Sequence, residues 1–251
     1  MYNFYSKLST EVYDLDKPIG RSFGDVEYYR ERLKNVSGKI LEPAVGIGRI
    51  LIPLLEEGFD VDGIDYSPDM LELCRKYCAE RELTPSLTEG DMSCFTSSDK
   101  YEAIIVPTGS FLLLTDREKS IQALQCFYNH LQPGGRLIVD VFIPTDFETG
   151  KTSVRTWENT AGDLITLESN LVKVDFMNQT TTTHHKYEKW RDKKLIETEL
   201  EQFPLRWYGI EEFRLVLEKI GFKDITVSAD YQHEKAPTEG SEIMTFEARV
   251  K

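Results

Sequence analysis

The sequence has 251 residues, enough for one large α/β domain with an insertion, and we treat residues 1–251 as a single domain. It carries 30 basic and 43 acidic side chains, a net charge of −13 with no compact basic stripe, which disfavours a nucleic-acid partner. Its first residues lack a signal peptide's basic start and apolar core, and no apolar run could span a bilayer, so we expect a cytoplasmic protein without a membrane partner.

The small-residue loop that follows the first predicted strand is the most informative segment. An apolar strand, Lys39–Glu42, runs into Pro43-Ala44-Val45-Gly46-Ile47-Gly48 and then into a predicted helix. The next strand, Val61–Asp65, ends in a carboxylate. A tight loop beside such a carboxylate is typical of a nucleoside-binding site.

The chemistry of this loop limits the kind of nucleoside. It has no Lys, which the phosphate-binding P-loop needs, and Arg49 stands where the dinucleotide fingerprint has a third Gly. Glu42 at the mouth of the loop repels phosphate and favours a cationic group, such as the ammonium or sulfonium of S-adenosylmethionine. Asp65 can accept hydrogen bonds from both ribose hydroxyls.

The middle of the chain alternates β-branched runs with amphipathic stretches, which indicates a parallel sheet covered by helices on both faces. Helices are predicted to begin near Gly48, Pro68 and Asp116, and Pro53 must bend the first of them or lie in its opening turn. The further strands of this region are predicted near Ser86–Thr88, Ala103–Pro107 and Arg136–Phe142.

Four cysteines lack the paired spacing of a metal site: Cys74, Cys78, Cys94 and Cys126. Leu71, Cys74 and Cys78 fall on one helical face, which indicates core packing. We therefore predict no metal.

Residues 154–203 have no helical period and are predicted to form an inserted antiparallel sheet, which we interpret as a lid. Its turns are expected at Asn178-Gln179 and Asp192-Lys193. Strict alternation in Ile196–Glu201 predicts one buried and one exposed face. The helical period returns in Ile210–Lys219 and ends at Gly221, and two final strands are predicted, at Lys223–Ala229 and Glu242–Val250.

The sequence resembles the class I S-adenosylmethionine-dependent methyltransferases. Their first motif, acid-x-Gly-x-Gly-x-Gly, is matched at Glu42, Gly46 and Gly48 and departs at Ala44. The family's later landmarks follow in order over about residues 36–143: Asp65–Leu71, Gly90-Asp91-Met92, Ile104–Phe111 and Leu131–Leu137. The resemblance implies a Rossmann-like, seven-stranded, mostly parallel sheet whose last strand is antiparallel, with an antiparallel β insertion after strand five.

The resemblance also implies the residues that bind S-adenosylmethionine. The methionine portion is lined by Glu42, Ala44, Gly46 and Gly48, and the ribose is held by Asp65. The adenine is flanked by Tyr66 and Met70, hydrogen-bonded by Asp91 and read by the backbone of Met92. Further pocket residues are Thr108, Phe111 and, for the cofactor carboxylate, Arg21.

The acceptor side is implied less directly. Residues 1–35, which include Tyr2 and Phe4, resemble the helical N-terminal cap of small-molecule methyltransferases, and Tyr13 corresponds to a Tyr that borders cofactor and substrate. Arg206 and Tyr208 are candidates for substrate contact. No catalytic residue is identified, although Tyr13 and His185 are candidates, and if the segment is a strand His184 and His185 point to opposite faces.

The predicted function is methyl transfer from S-adenosylmethionine to an amine, or a hydroxyl, of a small molecule. The inserted sheet most resembles that of amino-sugar and glycine-type N-methyltransferases, and the absence of an Asn-Pro-Pro-Tyr signature weakens DNA-base and glutamine substrates. Two alternatives stay open: an NAD-dependent oxidoreductase of related fold, and a non-catalytic nucleoside-binding protein. The acceptor and the oligomeric state are not determined.

Overall fold

The computed structural model describes residues 5–251, so Tyr2, Phe4 and the rest of residues 1–4 of the predicted cap lie outside the described residues. The chain divides into two compact units. One unit, here called the parallel-sheet unit, comprises Ile19–Ile143 and Trp207–Lys251. The other, the antiparallel unit, comprises Met1–Pro18 and Pro144–Arg206. No helix within residues 5–251 is long and apolar enough to cross a membrane.

The parallel-sheet unit contains seven strands in one sheet. Its strands are β1 (Ile40–Pro43), β2 (Val61–Asp65), β3 (Leu87–Glu89), β4 (Tyr101–Val106), β5 (Leu131–Val141), β10 (Lys223–Ala229) and β11 (Met244–Arg249). Its helices are α2 (Asp25–Leu33), α3 (Leu51–Glu56), α4 (Pro68–Ala79), α5 (Arg117–His130) and α6 (Ile210–Ile220), with a 3₁₀ turn at Ser110–Leu113. The remaining elements, α1 (Lys7–Asp16), β6 (Thr152–Glu158), β7 (Leu164–Asp175), β8 (Thr180–Arg191) and β9 (Lys194–Arg206), form the antiparallel unit.

The strand order of the first sheet is β10-β11-β5-β4-β1-β2-β3. All neighbours run parallel except β11, which is antiparallel to both β5 and β10. The predicted seven-stranded sheet with an antiparallel last strand is therefore confirmed. Because parallel strands end at one edge, the loops after β1, β2, β3, β4 and β5 lie at the same edge of this sheet.

Local sequence signals explain where the helices begin. Pro68 is the first residue of α4, and the Ser67 side chain accepts a hydrogen bond from the Met70 amide at 3.2 Å. Asp116 caps α5 in the same way. Helix α3 begins at Leu51, later than the expected Gly48, because the positive φ of Gly48 takes it out of the helix, so Pro53 falls in the opening turn.

The antiparallel unit holds a four-stranded sheet in the order β6-β7-β8-β9. It spans Thr152–Arg206, slightly more than the expected 154–203. The turn between β8 and β9 consists of Asp192 and Lys193, which have φ values of 47° and 64°. Two adjacent positive φ values define the type I′ turn that matches the twist of a tight hairpin.

In β9 the apolar side chains face solvent and the glutamates face inward, which is the opposite of what their hydropathy favours. Leu200 is 80% exposed and Ile196 is also exposed, whereas Glu201 is buried. The cause is helix α1, which packs on the glutamate face through Leu8 and Val12 against Ile165 and Leu167.

Glu199 explains why a carboxylate is favoured on this inner face. Its Oε2 accepts hydrogen bonds from the amides of Leu8 and Ser9, at 3.0 and 3.3 Å, and from the Ser6 hydroxyl. The two amides are among the backbone donors that the first turn of a helix leaves without partners, and a negative charge is favourable there. Glu199 therefore caps α1 from a strand 190 residues away in sequence.

Candidate cofactor site

The loop after β1 has the close-approach geometry that its small residues suggest. Gly46 and Gly48 have φ values of 56° and 89°, and a Cβ at Gly48 would lie 2.8 Å from Sγ of Cys74. Only glycine fits this position. Ala44, the residue that departs from the methyltransferase motif, also has a positive φ, of 60°. The loop thus has three residues with positive φ, one of which is an alanine in the left-handed region that favours glycine.

Asp65 connects this loop to the end of β2. Its Oδ2 accepts a hydrogen bond from the Gly46 amide at 2.7 Å, and its Oδ1 accepts one from the Ser67 amide at 2.8 Å. Burial raises the pKa of Asp65, and the backbone hydrogen bonds oppose that rise. Each carboxylate oxygen has a second lone pair, so a ribose hydroxyl is still able to donate to it.

Glu42 is the least satisfied polar group of the site. It is buried at the end of β1, and among the described residues its Oε2 has no hydrogen-bonding partner. Burial raises the pKa of Glu42 well above its usual range; Asp65 adds to the rise, and the positive charge of Arg49 opposes it. A buried carboxylate oxygen without a donor fits a ligand that brings a cationic N–H group, such as the ammonium of S-adenosylmethionine.

Arg49 forms a buried ion pair that the sequence did not reveal. Its guanidinium donates two hydrogen bonds to Asp25, one of them at 3.1 Å, and one to the backbone oxygen of Arg21 at 2.9 Å. Burial raises the pKa of Asp25, but the hydrogen bonds and charge of Arg49 outweigh it and lower that pKa overall. Arg49 therefore fixes the start of α3 to α2, and it is not a vestige of a dinucleotide motif.

A second buried carboxylate, Asp140 on β5, organises the loop after β4. It accepts hydrogen bonds from the Thr108 amide at 2.7 Å, the Tyr231 hydroxyl at 2.9 Å and the Thr245 hydroxyl at 2.7 Å. Burial raises the pKa of Asp140 to about 6, against these hydrogen bonds. Thr108, held in this way, has a φ of 55°. An acid within an otherwise apolar strand was the available signal for this group.

The predicted adenine residues lie at the ends of β2 and β3. Tyr66 is 49% exposed, so its ring is accessible, whereas Met70 is buried in α4. Asp91 Oδ1 accepts hydrogen bonds from the amide and hydroxyl of Ser93, at 2.8 and 2.7 Å, and Met92 lies in the turn between them. A cavity of about 530 Å³ is lined in part by Gly90 and Asp91, but Glu42, Gly46, Asp65 and Tyr66 are not in its lining, so it is not the pocket of the glycine loop.

Three other predicted residues have different environments. Phe111 is fully buried, with its ring 5.5 Å from that of Phe213. Tyr208 is also buried, and its hydroxyl donates to Ser120 Oγ at 2.6 Å. Arg21 is exposed, with its guanidinium 5.3 Å from the ring centre of Phe23. In this structure Phe111 and Tyr208 contribute to the core, and only Arg21 of the three is open to a ligand.

The predicted acceptor residues Tyr13, His185 and Arg206 belong to the antiparallel unit. His184 is exposed and His185 faces inward, where its Nδ1 lies 3.7 Å from Glu201 Oε2. Opposite faces were expected for the two histidines, and Glu201 is a partner that the sequence did not identify. Arg206 is buried at the end of β9.

Comparison with known proteins agrees with this geometry. A family model for a methyltransferase domain matches residues 40–135. The glycine/sarcosine N-methyltransferase of Aphanothece halophytica is 26% identical over 220 residues, which cover 84% of this chain and 77% of that protein. The dTDP-3-amino-3,4,6-trideoxy-alpha-D-glucopyranose N,N-dimethyltransferase of Streptomyces venezuelae is 30% identical over 150 residues, 57% of this chain and 61% of that protein.

A solved structure is similar over nearly the whole chain. The S-adenosylmethionine-dependent methyltransferase from Clostridium acetobutylicum superposes with a TM-score of 0.76 at 17% identity, covering 96% of each chain. The oxidoreductase and non-catalytic alternatives gain no support from these comparisons. With a methyltransferase domain spanning the loop of Glu42 and Asp65, the chain is a class I S-adenosylmethionine-dependent methyltransferase.

Proposed function

We propose that this enzyme transfers the methyl group of S-adenosylmethionine to an amine nitrogen of a small molecule. The observation that carries the cofactor assignment is the buried Glu42 Oε2, which has no donor among the described residues. The choice of an amine as acceptor is supported by the similarity of the chain to glycine/sarcosine and amino-sugar N-methyltransferases. The first of these matches across 84% of the chain, which extends well beyond the methyltransferase domain.

The cofactor residues divide by the part of the ligand that each suits. When bound, S-adenosylmethionine supplies an electrophilic methyl group on a positively charged sulfur. Glu42 accepts from its ammonium, and the loop residues Ala44, Gly46 and Gly48 let the backbone approach the methionine portion. Asp65 accepts from the ribose hydroxyls with the lone pairs that Gly46 and Ser67 leave open.

The remaining cofactor assignments follow the family pattern. Tyr66 and Met70 flank the adenine, Asp91 accepts from its amino group, and the Met92 backbone reads the ring edge. The loop held by Asp140 contributes Thr108, and the fully buried Phe111 supports it from the core. Arg21, which is exposed, pairs with the cofactor carboxylate.

Methyl transfer from a sulfonium needs little covalent help from the protein. The acceptor nitrogen must present its lone pair in line with the departing sulfur, so orientation and removal of one proton are the protein's tasks. We assign Tyr13 and Arg206 to acceptor binding, and Tyr13 and His185 remain the candidates for proton removal. Tyr208, which is buried with its hydroxyl bound to Ser120, supports the acceptor residues only from the core. The roles of residues 1–35 as a cap and 154–203 as a lid belong to this proposal.

The partners follow from charge. We propose that nucleic acid is not a substrate, because the net charge of −13 opposes phosphate, and that the enzyme is cytoplasmic.

A methyl-transfer assay tests the proposed function. Radiolabelled S-adenosylmethionine is incubated with glycine, sarcosine and 3-amino sugar nucleotides, and separately with matched alcohols in which a hydroxyl replaces the amine. We expect label in at least one amine, with the site of methylation established by mass spectrometry. Label confined to the alcohols, or transfer to no amine while S-adenosylmethionine binds, would contradict the amine assignment.

A further inference from the structure

A group of aromatic side chains surrounds one carboxylate on the inner face of the antiparallel sheet. We call it the aromatic–carboxylate cluster, and its members are Tyr5, Tyr13, His185, Tyr187, Glu201 and Phe203. All six belong to the antiparallel unit. Of the six, only Tyr13 and His185 were predicted from the sequence as candidate site residues, so the cluster itself is a property of the fold.

The rings form a continuous set. His185 stacks on Phe203 with ring centres 5.0 Å apart, and Tyr187 meets His185 edge-on at 6.0 Å. Tyr5 stands nearly perpendicular to both Phe203 and Tyr13, at 6.2 and 5.7 Å. Tyr5, Tyr13, His185 and Phe203 are each partly exposed, so the set is accessible to a ligand. Aromatic faces arranged in this way attract organic cations.

Glu201 supplies a buried negative charge within this set. Its Oε1 accepts from the Tyr5 amide at 2.8 Å, its Oε2 accepts from the Tyr187 hydroxyl at 3.2 Å, and His185 Nδ1 lies 3.7 Å away. Among residues 5–251, no Lys or Arg forms an ion pair with Glu201. The groups around the Glu201 carboxylate are therefore a backbone amide, a phenol hydroxyl and an imidazole, and none of them carries a permanent positive charge.

Three other carboxylates of this unit are compensated by a cation or a helix terminus. Asp163 pairs with Arg191 at 2.6 Å, Glu11 pairs with Lys189 at 2.8 Å, and Glu199 caps the N-terminus of α1. Asp163 is the other buried carboxylate of this unit, and it has a cation, whereas Glu201 has neither a Lys or Arg partner nor a helix terminus. Buried charges normally have such compensation, so Glu201 is suited to receive a cation from a ligand.

We propose that the aromatic–carboxylate cluster is a binding site for an organic ammonium ion, a protonated amine or its methylated form. This inference rests on the proposed function, since an aliphatic amine acceptor is protonated in water near neutral pH and loses one proton before its nitrogen can accept a methyl group. The ring faces attract the charged nitrogen and its alkyl substituents, and Glu201 provides the opposite charge. The Lys17 ammonium, 5.2 Å from the Tyr13 ring centre, is an intramolecular example of the same attraction.

The test uses choline as the cation and 3,3-dimethyl-1-butanol as its uncharged isostere, each titrated into the full-length protein by NMR. We expect saturable binding of choline and at least tenfold weaker binding of the alcohol. Glu201→Gln should weaken choline binding at least tenfold. Its matched control is Glu197→Gln, which removes the same charge from the same face of β9, four residues away, and should change the affinity less than twofold.

A second variant separates binding from folding. Phe203→Leu removes the stacked ring but keeps apolar bulk, and it should weaken choline without changing Glu201. Circular dichroism confirms that each variant is folded. Equal binding of choline and its isostere, no saturable choline binding, or folded Glu201→Gln protein with unchanged affinity would overturn the proposal.

The same samples distinguish this proposal from the proposed function. If choline binds through Glu201 but no amine is methylated, the cluster proposal stands and the amine acceptor assignment fails. If amines are methylated while choline binding is absent and Glu201→Gln leaves turnover unchanged, the enzyme function stands and the cluster proposal fails.

Discussion

The Asp65 carboxylate accepts a hydrogen bond from the Gly46 amide at 2.7 Å, and this hydrogen bond joins the end of β2 to the glycine loop after β1. The second oxygen of Asp65 holds the turn into α4 through the Ser67 amide. One carboxylate therefore shapes both loops of the cofactor site before any ligand arrives. Asp65 therefore has two roles, ribose binding and positioning of the glycine loop, and the sequence motif indicates only the first.

Replacing this carboxylate should damage binding through both roles. We expect Asp65→Ala to weaken S-adenosylmethionine at least a hundredfold and to lower protein stability by about 1–3 kcal/mol, because the Gly46 and Ser67 amides lose their acceptors. Calorimetry and thermal unfolding measure the two effects. The control is Asp69→Asn in the first turn of α4, which should leave the affinity within about twofold. Unchanged affinity in Asp65→Ala would remove the ribose assignment.

Glu42 should make the protein less stable without cofactor. Burial raises the pKa of Glu42, so the folded state binds its proton more tightly than the unfolded state, and stability is lost as pH rises above the ordinary glutamate range. Glu42→Gln, which is neutral at every pH, should therefore raise the melting temperature of the cofactor-free protein at neutral pH. The exposed Glu72→Gln on α4 is the control. A lower melting temperature in Glu42→Gln would contradict the uncompensated burial of this charge.

Ala44 offers a substitution that should stabilise the loop. Its φ of 60° costs an alanine about 1–2 kcal/mol, whereas glycine adopts it freely at an unfolded-state cost of about 0.4–1 kcal/mol. Ala44→Gly should therefore gain about 0.5–1 kcal/mol in denaturant unfolding and keep the cofactor affinity. Ala123→Gly, within helix α5, should lose about 1 kcal/mol or more in the same measurement. A loss of similar size at Ala44 would show that its methyl group packs favourably.

Asp140 should give the stability a defined pH dependence. Its pKa is raised from 3.8 to about 6, so the stability present at low pH is lost as pH rises from about 4 through about 6, by about 3 kcal/mol in total. Asp140→Asn lacks this titration. The difference in unfolding free energy, wild type minus variant, should fall by about that amount between about pH 4 and about pH 7. A difference that is constant or rises over this range would be inconsistent with a raised pKa.

The strand positions, the glycine loop and the caps at Pro68 and Asp116 were predicted from local signals, namely apolar runs, small residues and capping side chains. The seven-stranded sheet with an antiparallel last strand was implied by the family resemblance, and its strand order is known only from the structure. The predicted alternation in β9 was also correct, but which face is buried was not a local property. The choice of buried face depends on α1, which packs on the glutamate face and whose N-terminal amides donate hydrogen bonds to Glu199.

The same reasoning explains the groups that the sequence did not identify. Asp140, Tyr231 and Thr245 meet only when β5, β11 and the loop after β10 come together, and their separation in sequence is about a hundred residues. The ion pair of Arg49 is not visible in the sequence, because Arg49 lies in the loop before α3 and its partner Asp25 lies 24 residues earlier, at the start of α2. Contacts between segments that are distant in sequence leave no periodicity or residue spacing from which they could be predicted.

The central claim is that the negative charge of Glu42 selects a cationic nucleoside at the glycine loop. The direct measurement is calorimetric titration of the wild-type protein and Glu42→Gln with S-adenosylmethionine and, separately, with NAD. We expect S-adenosylmethionine to bind the wild type and NAD not to bind it, and Glu42→Gln to weaken S-adenosylmethionine about tenfold to a hundredfold. Tighter binding of NAD than of S-adenosylmethionine by the wild type, or an unchanged S-adenosylmethionine affinity in Glu42→Gln, would contradict the claim.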